Sequence, residues 1–164
     1  EPNNIKRSIV LYQQARELGV PAIFVINMID ELRTKGLEID YQQLESYLGT
    51  KVFTTDARNG KGIQQLIQAF DERPGHYLSR FTADEQYSEA LEETKKIFPL
   101  STEYQTWQFL AQDHVSFLSM EQRQRLLEIR ERHKISGNEL QKSEAIQRNK
   151  RIEKDTIQVQ IVHC

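Results

Sequence analysis

Ile5, Ile9 and Tyr12, with Leu11, Ala15 and Leu18 beside them, recur at the three-to-four-residue spacing of one helix face. Asn3 or Asn4 is placed to cap that helix and Gly19 to end it. Pro21 then breaks the chain into Ala22 to Ile26, a continuous apolar run rich in β-branched and aromatic residues. A run this short predicts a strand buried on both faces, as in parallel sheets. Asp40, with Gln43 in the reciprocal capping position and Ile39 set to staple against Leu44, opens a second helix. Tyr41, Leu44 and Leu48 form its buried face and Gly49 closes it. Val52 to Thr54 reads as a second short strand, and Ile63, Leu66, Ile67 and Phe70, at i, i+3, i+4 and i+7, mark a third helix. Helices alternating with short strands are the rhythm of an α/β protein.

Beyond Phe70 the pattern changes. Arg73-Pro74-Gly75-His76 is a turn-rich boundary, and no sheet strand is predicted after it until the last few residues. Thr82 with Glu85 predicts a capping box for a helix buried through Tyr87, Ala90, Leu91, Thr94 and Phe98 and stopped by Pro99. Ser101 or Thr102 starts another, with Tyr104, Trp107, Leu110 and Ala111 inward. Ser119 with Gln122 caps a third carrying Leu126, Ile129 and His133, and Gly137-Asn138 breaks it before a polar helix from Glu139 to about Asp155. The expected organisation is an α/β part over residues 1–72, an all-α bundle over 73–155 and a tail over 156–164. Alternating Ile157, Val159 and Ile161 leave that tail open between strand and frayed end.

Composition narrows the function classes. With 164 residues, 38% apolar and 28% charged, the chain fits one ordinary domain or two small ones, and it has no apolar run of the about 18 residues a membrane helix needs. A formal charge of −2 gives no reason to expect a nucleic-acid partner. Cys164 is the single cysteine, so no disulfide framework or cysteine metal cluster is expected and a reducing compartment is favoured. His76, His114, His133 and His163 are scattered without metal-ligand spacing, and no Gly-x-Ser-x-Gly elbow occurs. The basic residues Lys142, Arg148, Lys150, Arg151 and Lys154 suit either a cytoplasmic membrane face or a solvated helix face, and Glu144, Glu153 and Asp155 favour the latter. The start, without initiator Met or signal segment, reads as a cut.

Chemistry gathers at the two strand ends. Asn27 and Asp30 lie just past the first, where open α/β sheets place their ligands. One ionised carboxylate accepts the two neighbouring N–H donors of a guanine edge, a task for Asp30, while the Asn27 amide suits the base acceptors and braces nearby loops. Adenine lacks that donor pair. Asn-x-x-Asp alone is common by chance, but the loop Thr55-Asp56-Ala57-Arg58-Asn59-Gly60-Lys61-Gly62 follows one β-α unit later and can set the Ala57 N–H against the guanine carbonyl. No Gly-x-x-x-x-Gly-Lys-Ser/Thr occurs, since Gly60-Lys61 is the only Gly-Lys and Thr55 stands five before it. The phosphate and magnesium half is expected upstream of Glu1, and the chain alone is not expected to hydrolyse GTP.

Asn27-Met28-Ile29-Asp30, with Met28 where most small GTPases carry Lys, the approach Leu18-Gly19-Val20-Pro21, the tail Leu48-Gly49-Thr50-Lys51-Val52 and the loop Asp56 to Gly62 together resemble the cytosolic G domain of the ferrous iron transport protein B family. The likeness covers nearly the whole chain: Glu1 to Leu18 is similar to the segment after the family's switch region, and Tyr87 onward to its helical domain. Asp56 departs from the family's more usual Ser. The resemblance implies the C-terminal strands and helices of a P-loop-type G domain followed by a helical domain like a nucleotide-dissociation inhibitor, lying between GTPase and membrane pore. It implies GTP or GDP bound through Asn27, Met28, Asp30, Asp56 and Ala57, with Mg2+ only where the N-terminal half is present. It further implies a role in Fe2+ transport at the cytoplasmic side of the inner membrane, with the membrane domain of the same parent as partner, this segment itself soluble, and room for a homo-oligomer in the parent. The competing readings are a helical interaction protein whose Asn-x-x-Asp is accidental, or a piece of another small-GTPase-like protein.

Overall fold

The computed structural model describes residues 2–28, 34, 39–72 and 77–154. It divides into two compact units, Glu1–Ser79 with Ile152–Cys164, and Arg80–Arg151. In the first unit α1 spans Pro2–Glu17, β1 Phe24–Asn27, α2 Tyr41–Leu48, β2 Val52–Thr55 and α3 Ile63–Asp71. β1 and β2 pair in parallel, with Phe24 opposite Val52 and Asn27 opposite Thr55. Ile9 and Tyr12 of α1, Phe24 and Ile26 of β1, Leu44 and Leu48 of α2, and Ile152 share one core. Tyr12 meets the Phe24 ring edge-on at 5.6 Å.

Several expectations are corrected here. α1 starts at Pro2, so Asn3 and Asn4 lie in its first turn and not at the cap; proline is suited to that first position because its missing N–H would have no helical partner. β1 alternates, with Phe24 and Ile26 buried and Val25 and Asn27 exposed, so it is covered on one face and not on both. Asp40 does cap α2, its carboxylate accepting from the Gln43 backbone N–H at 2.9 Å. Tyr47, not Tyr41, completes its inner face, and the Tyr47 hydroxyl accepts from Gln13 Nε2 at 3.3 Å, tying α2 to α1. α3 forms where its spacing predicts, yet Ile67 and Phe70 are 58% and 70% exposed, leaving an apolar stripe unpartnered among the described residues.

The second unit is helical throughout its described elements. A 3-10 turn Glu85–Tyr87 leads into α4 (Ser88–Ile97), then α5 (Glu103–Ala111), α6 (Met120–His133) and α7 (Gly137–Lys154). Ser119 with Gln122 forms a full capping box, as its spacing predicts, and of the two candidates Ser101 and Thr102 it is Thr102 that caps α5, in a box with Gln105. Thr82 and Glu85 do not: the 3-10 turn intervenes, α4 begins after Tyr87 without a side-chain cap, and the Thr82 hydroxyl accepts instead from the Arg151 guanidinium. Trp107 is the centre of this core, with Phe81 and Tyr87 edge-on at 5.4 and 5.5 Å. α7 begins at Gly137, earlier than the predicted Glu139, because it starts hard against the end of α5. A Cβ on Gly137 would stand 2.6 Å from the Ala111 carbonyl oxygen. Arg148, expected on a solvated face, is buried with Glu144 at 2.7 Å and lies 5.3 Å from the Tyr104 ring centre. No described helix is long and apolar enough to cross a membrane.

α4 and α6 are clipped together by Glu93, which accepts from Arg132 at 2.6 Å and pairs with His133 Nε2 at 3.0 Å. The His133 hydrogen bond holds the Glu93 carboxyl below its ordinary value of 4.5, with Arg132 adding to it against the cost of burial. A carboxyl depressed by folding adds stability above its unfolded pKa, and that contribution disappears as pH falls through the folded value. Glu93→Gln is therefore expected to flatten the acid side of the stability curve. Urea midpoints followed by far-UV circular dichroism should separate wild type from variant above pH 4.5 and bring them together below it. Equal gaps throughout would remove Glu93 as the titrating group.

Candidate functional site

The parallel register sets the carboxyl ends of β1 and β2 side by side, and everything at this site follows from that pairing. Asn27 closes β1 opposite Thr55, the last residue of β2. The Asn27 side-chain oxygen accepts from the Thr55 hydroxyl at 3.1 Å and from the Ala57 backbone N–H at 3.3 Å. Because a backbone N–H can only donate, this contact orients the Asn27 amide with its oxygen inward. The amide NH2 then has no acceptor among the described residues and stands on an exposed side chain, a donor suited to a ring nitrogen or carbonyl of a ligand.

After Thr55 the chain closes on itself. The Asp56 N–H donates to the Lys61 carbonyl at 3.0 Å, and the Asp56 carbonyl accepts from Asn59 and Lys61 N–H groups, both at 3.1 Å. The Asp56 carboxylate accepts from the Asn59 N–H at 3.2 Å and from Asn59 Nδ2 at 2.6 Å. Asp56 is only 4% exposed, so its charge is spent inside its own loop. The Asn59 side-chain amide holds that carboxyl below its ordinary value, opposed by burial and helped by Lys61. Gly62 ends the loop at φ +77°, where a Cβ would lie 2.1 Å from the Thr54 carbonyl oxygen, so α3 can leave β2 this tightly only through glycine.

Of the residues singled out from the sequence, Asn27, Met28, Asp56 and Ala57 gather at this one corner. Asp30 lies outside the described residues. Met28 follows Asn27 with φ 63°, a left-handed conformation costing a non-glycine residue about 1–2 kcal/mol, and its side chain is exposed. The Ala57 N–H, expected to face a base carbonyl, is donated in this structure to the Asn27 side chain. Thr55 and Asn59 were not singled out. Thr55 becomes visible only once the strand register is known. Asn59, three residues after Asp56, carries a local signal, since Asp and Asn side chains close turns onto nearby backbone.

Chemically the corner presents an outward amide NH2, a backbone N–H on a long and therefore weak hydrogen bond, and a fixed loop, a set suited to the polar edge of a planar base.

Residues 1–70 match the family described as Ferrous iron transport protein B. The Fe(2+) transporter FeoB of Staphylococcus aureus strain N315 is 34% identical over 96 residues, 58% of this chain and 14% of that one. A fusion of Fe(2+) transport protein A with Fe(2+) transporter FeoB from Porphyromonas gingivalis is 36% identical over 64 residues, 39% and 8% of the two chains. The chain thus spans a small part of these relatives. In fold it is similar to NFeoB from S. thermophilus bound to GDP, AlF4- and K+, with TM-score 0.68 and 21% identity over 93% of this chain and 65% of that one. The cytosolic domain of L. pneumophila FeoB gives 0.64 and 22% over 87% and 60%.

Proposed function

We propose that this chain, whose residues 1–70 belong to the ferrous iron transport protein B family, supplies the guanine-selecting half of a GTP-binding domain that serves Fe2+ transport. The observation that carries the reading is the Asn27 side chain joined to Ala57 N–H at 3.3 Å across the ends of two parallel strands. In this role the Asn27 NH2 meets a base acceptor, the Ala57 N–H meets the guanine carbonyl, and Asp30 accepts the two base N–H donors. Structures of similar fold bound to GDP and to GDP with AlF4- support it. GTP phosphates and Mg2+ would be held by a phosphate-binding half that residues 1–70 do not include, so GTP hydrolysis belongs to the completed domain. The helical residues from Arg80 to Arg151 serve in this reading as the element that couples nucleotide state to a membrane domain of the same parent on its cytoplasmic side.

Joining the chain to a phosphate-binding half makes the reading testable. GDP should then be held at least about tenfold more tightly than ADP. Asp30→Asn should weaken GTP about tenfold to a hundredfold and improve binding of xanthosine nucleotides, which present a carbonyl where guanine presents an amine. Unaltered GTP affinity in that variant would end the assignment.

A further inference from the structure

We propose that Asn59, by clasping the Asp56 carboxylate, is the positioning residue that aims the Ala57 N–H at the exocyclic carbonyl of a guanine-type base. The inference rests on the guanine reading above and assigns a role to a residue that does not itself reach the base. Its ground is the peptide plane between Asp56 and Ala57. The carbonyl of that peptide points into the loop, where it accepts from Asn59 and Lys61 at 3.1 Å each. In a planar trans peptide the N–H points opposite to the C=O, so the Ala57 N–H must point out of the loop. It does so, and its partner there is the Asn27 side chain at 3.3 Å.

What keeps the plane from turning is the clasp. Asn59 donates its backbone N–H to both the carbonyl and the carboxylate of Asp56, and its side-chain amide to the second carboxylate oxygen at 2.6 Å, a short charge-assisted bond. The Asp56 N–H is held as well, by the Lys61 carbonyl at 3.0 Å. Every polar group of Asp56 is thereby bonded within six residues of chain, Asp56 to Lys61. A serine at this position could not bind Asn59 through two oxygens at once, so the clasp belongs to the aspartate. Asn27 and the clasp fix the two sides of one N–H: Asn27 is the acceptor that an incoming carbonyl joins or replaces, and the Asp56–Asn59 pair holds the donor still meanwhile.

The test uses the 164-residue chain joined to a phosphate-binding half, titrated with GDP, 6-thio-GDP and IDP. Thio-GDP keeps both N–H donors of the base edge but replaces the carbonyl oxygen with sulfur, a poor acceptor; IDP keeps the carbonyl and lacks the 2-amino group. Asn59→Ala should shrink the preference for GDP over 6-thio-GDP by about tenfold, the effect of loosening one well-aimed hydrogen bond. The preference for GDP over IDP, which Asp30 would set, should persist. Asp56→Ser opens the clasp from its other side and should move the same ratio. If both variants weaken all three nucleotides alike, or none, the clasp is a folding feature only and the proposal falls while the guanine reading stands. Should the wild type bind GDP no better than ADP, both fall together.

Discussion

Gly62→Ala is expected to destabilise the first unit by about 3 kcal/mol, the sum of a left-handed alanine and one overpacked contact. At φ +77° the new Cβ meets the Thr54 carbonyl oxygen at 2.1 Å, with the Thr54 carbonyl carbon and Thr55 Cα at 3.1 and 3.3 Å. All three are backbone atoms of β2, which cannot swing aside as a side chain would. Relief must come from opening the β2–α3 junction, where Thr55 hydrogen-bonds Asn27. Gly60 is the internal control: it has φ +71° but nothing within 4 Å of its Cβ position. Gly60→Ala should cost about 1 kcal/mol, from conformation alone. Urea denaturation gives the two magnitudes, and amide hydrogen exchange should show the added loss in Val52–Asp71 only for Gly62→Ala. Equal costs would mean that β2 yields freely and that the tight turn is not obligatory.

Glu144→Ala is expected to cost the second unit about 3–5 kcal/mol. Glu144 and Arg148 sit one turn apart on α7, 2.7 Å from each other, with side chains only 8% and 7% exposed. Removing the carboxylate takes the 2.7 Å partner away from a buried guanidinium, and desolvation makes that far worse than losing an exposed pair. Replacing both, as Glu144→Leu with Arg148→Met, removes the charge and its partner together and should restore most of the stability. A double variant as unstable as the single one would show that the pair holds the helix by something other than compensating charge. Thermal melts of wild type, single and double variants decide it.

The parts legible in the sequence are those fixed by local chemistry. The capping box at Ser119, the Asp40 cap and the inward face Tyr104, Trp107, Leu110 and Ala111 all stand where spacing put them. The failures come from what lies across space. Tyr41 and Tyr47 carry the same side chain, and it is Tyr47 that joins the core and meets the Gln13 amide of α1. Thr82 and Glu85 have the capping spacing, but Arg151, distant in sequence, takes the threonine hydroxyl. Arg148 looks like a surface cation until Glu144 and Tyr104 enclose it. At the site, Asn27 directly follows the apolar run Ala22 to Ile26, and Ala57 lies in the loop two residues after β2 ends at Thr55. That their side chain and amide bond each other depends on a strand register no local pattern encodes.

Trp107 is the chain's single tryptophan, and it lies within the Arg80–Arg151 unit, with Phe81 and Tyr87 edge-on to it. Emission excited selectively in tryptophan therefore reports on the core of that unit. A steady signal during a nucleotide titration would say nothing against binding. A change in it would report a rearrangement within the core around Trp107, obtained without attaching a dye.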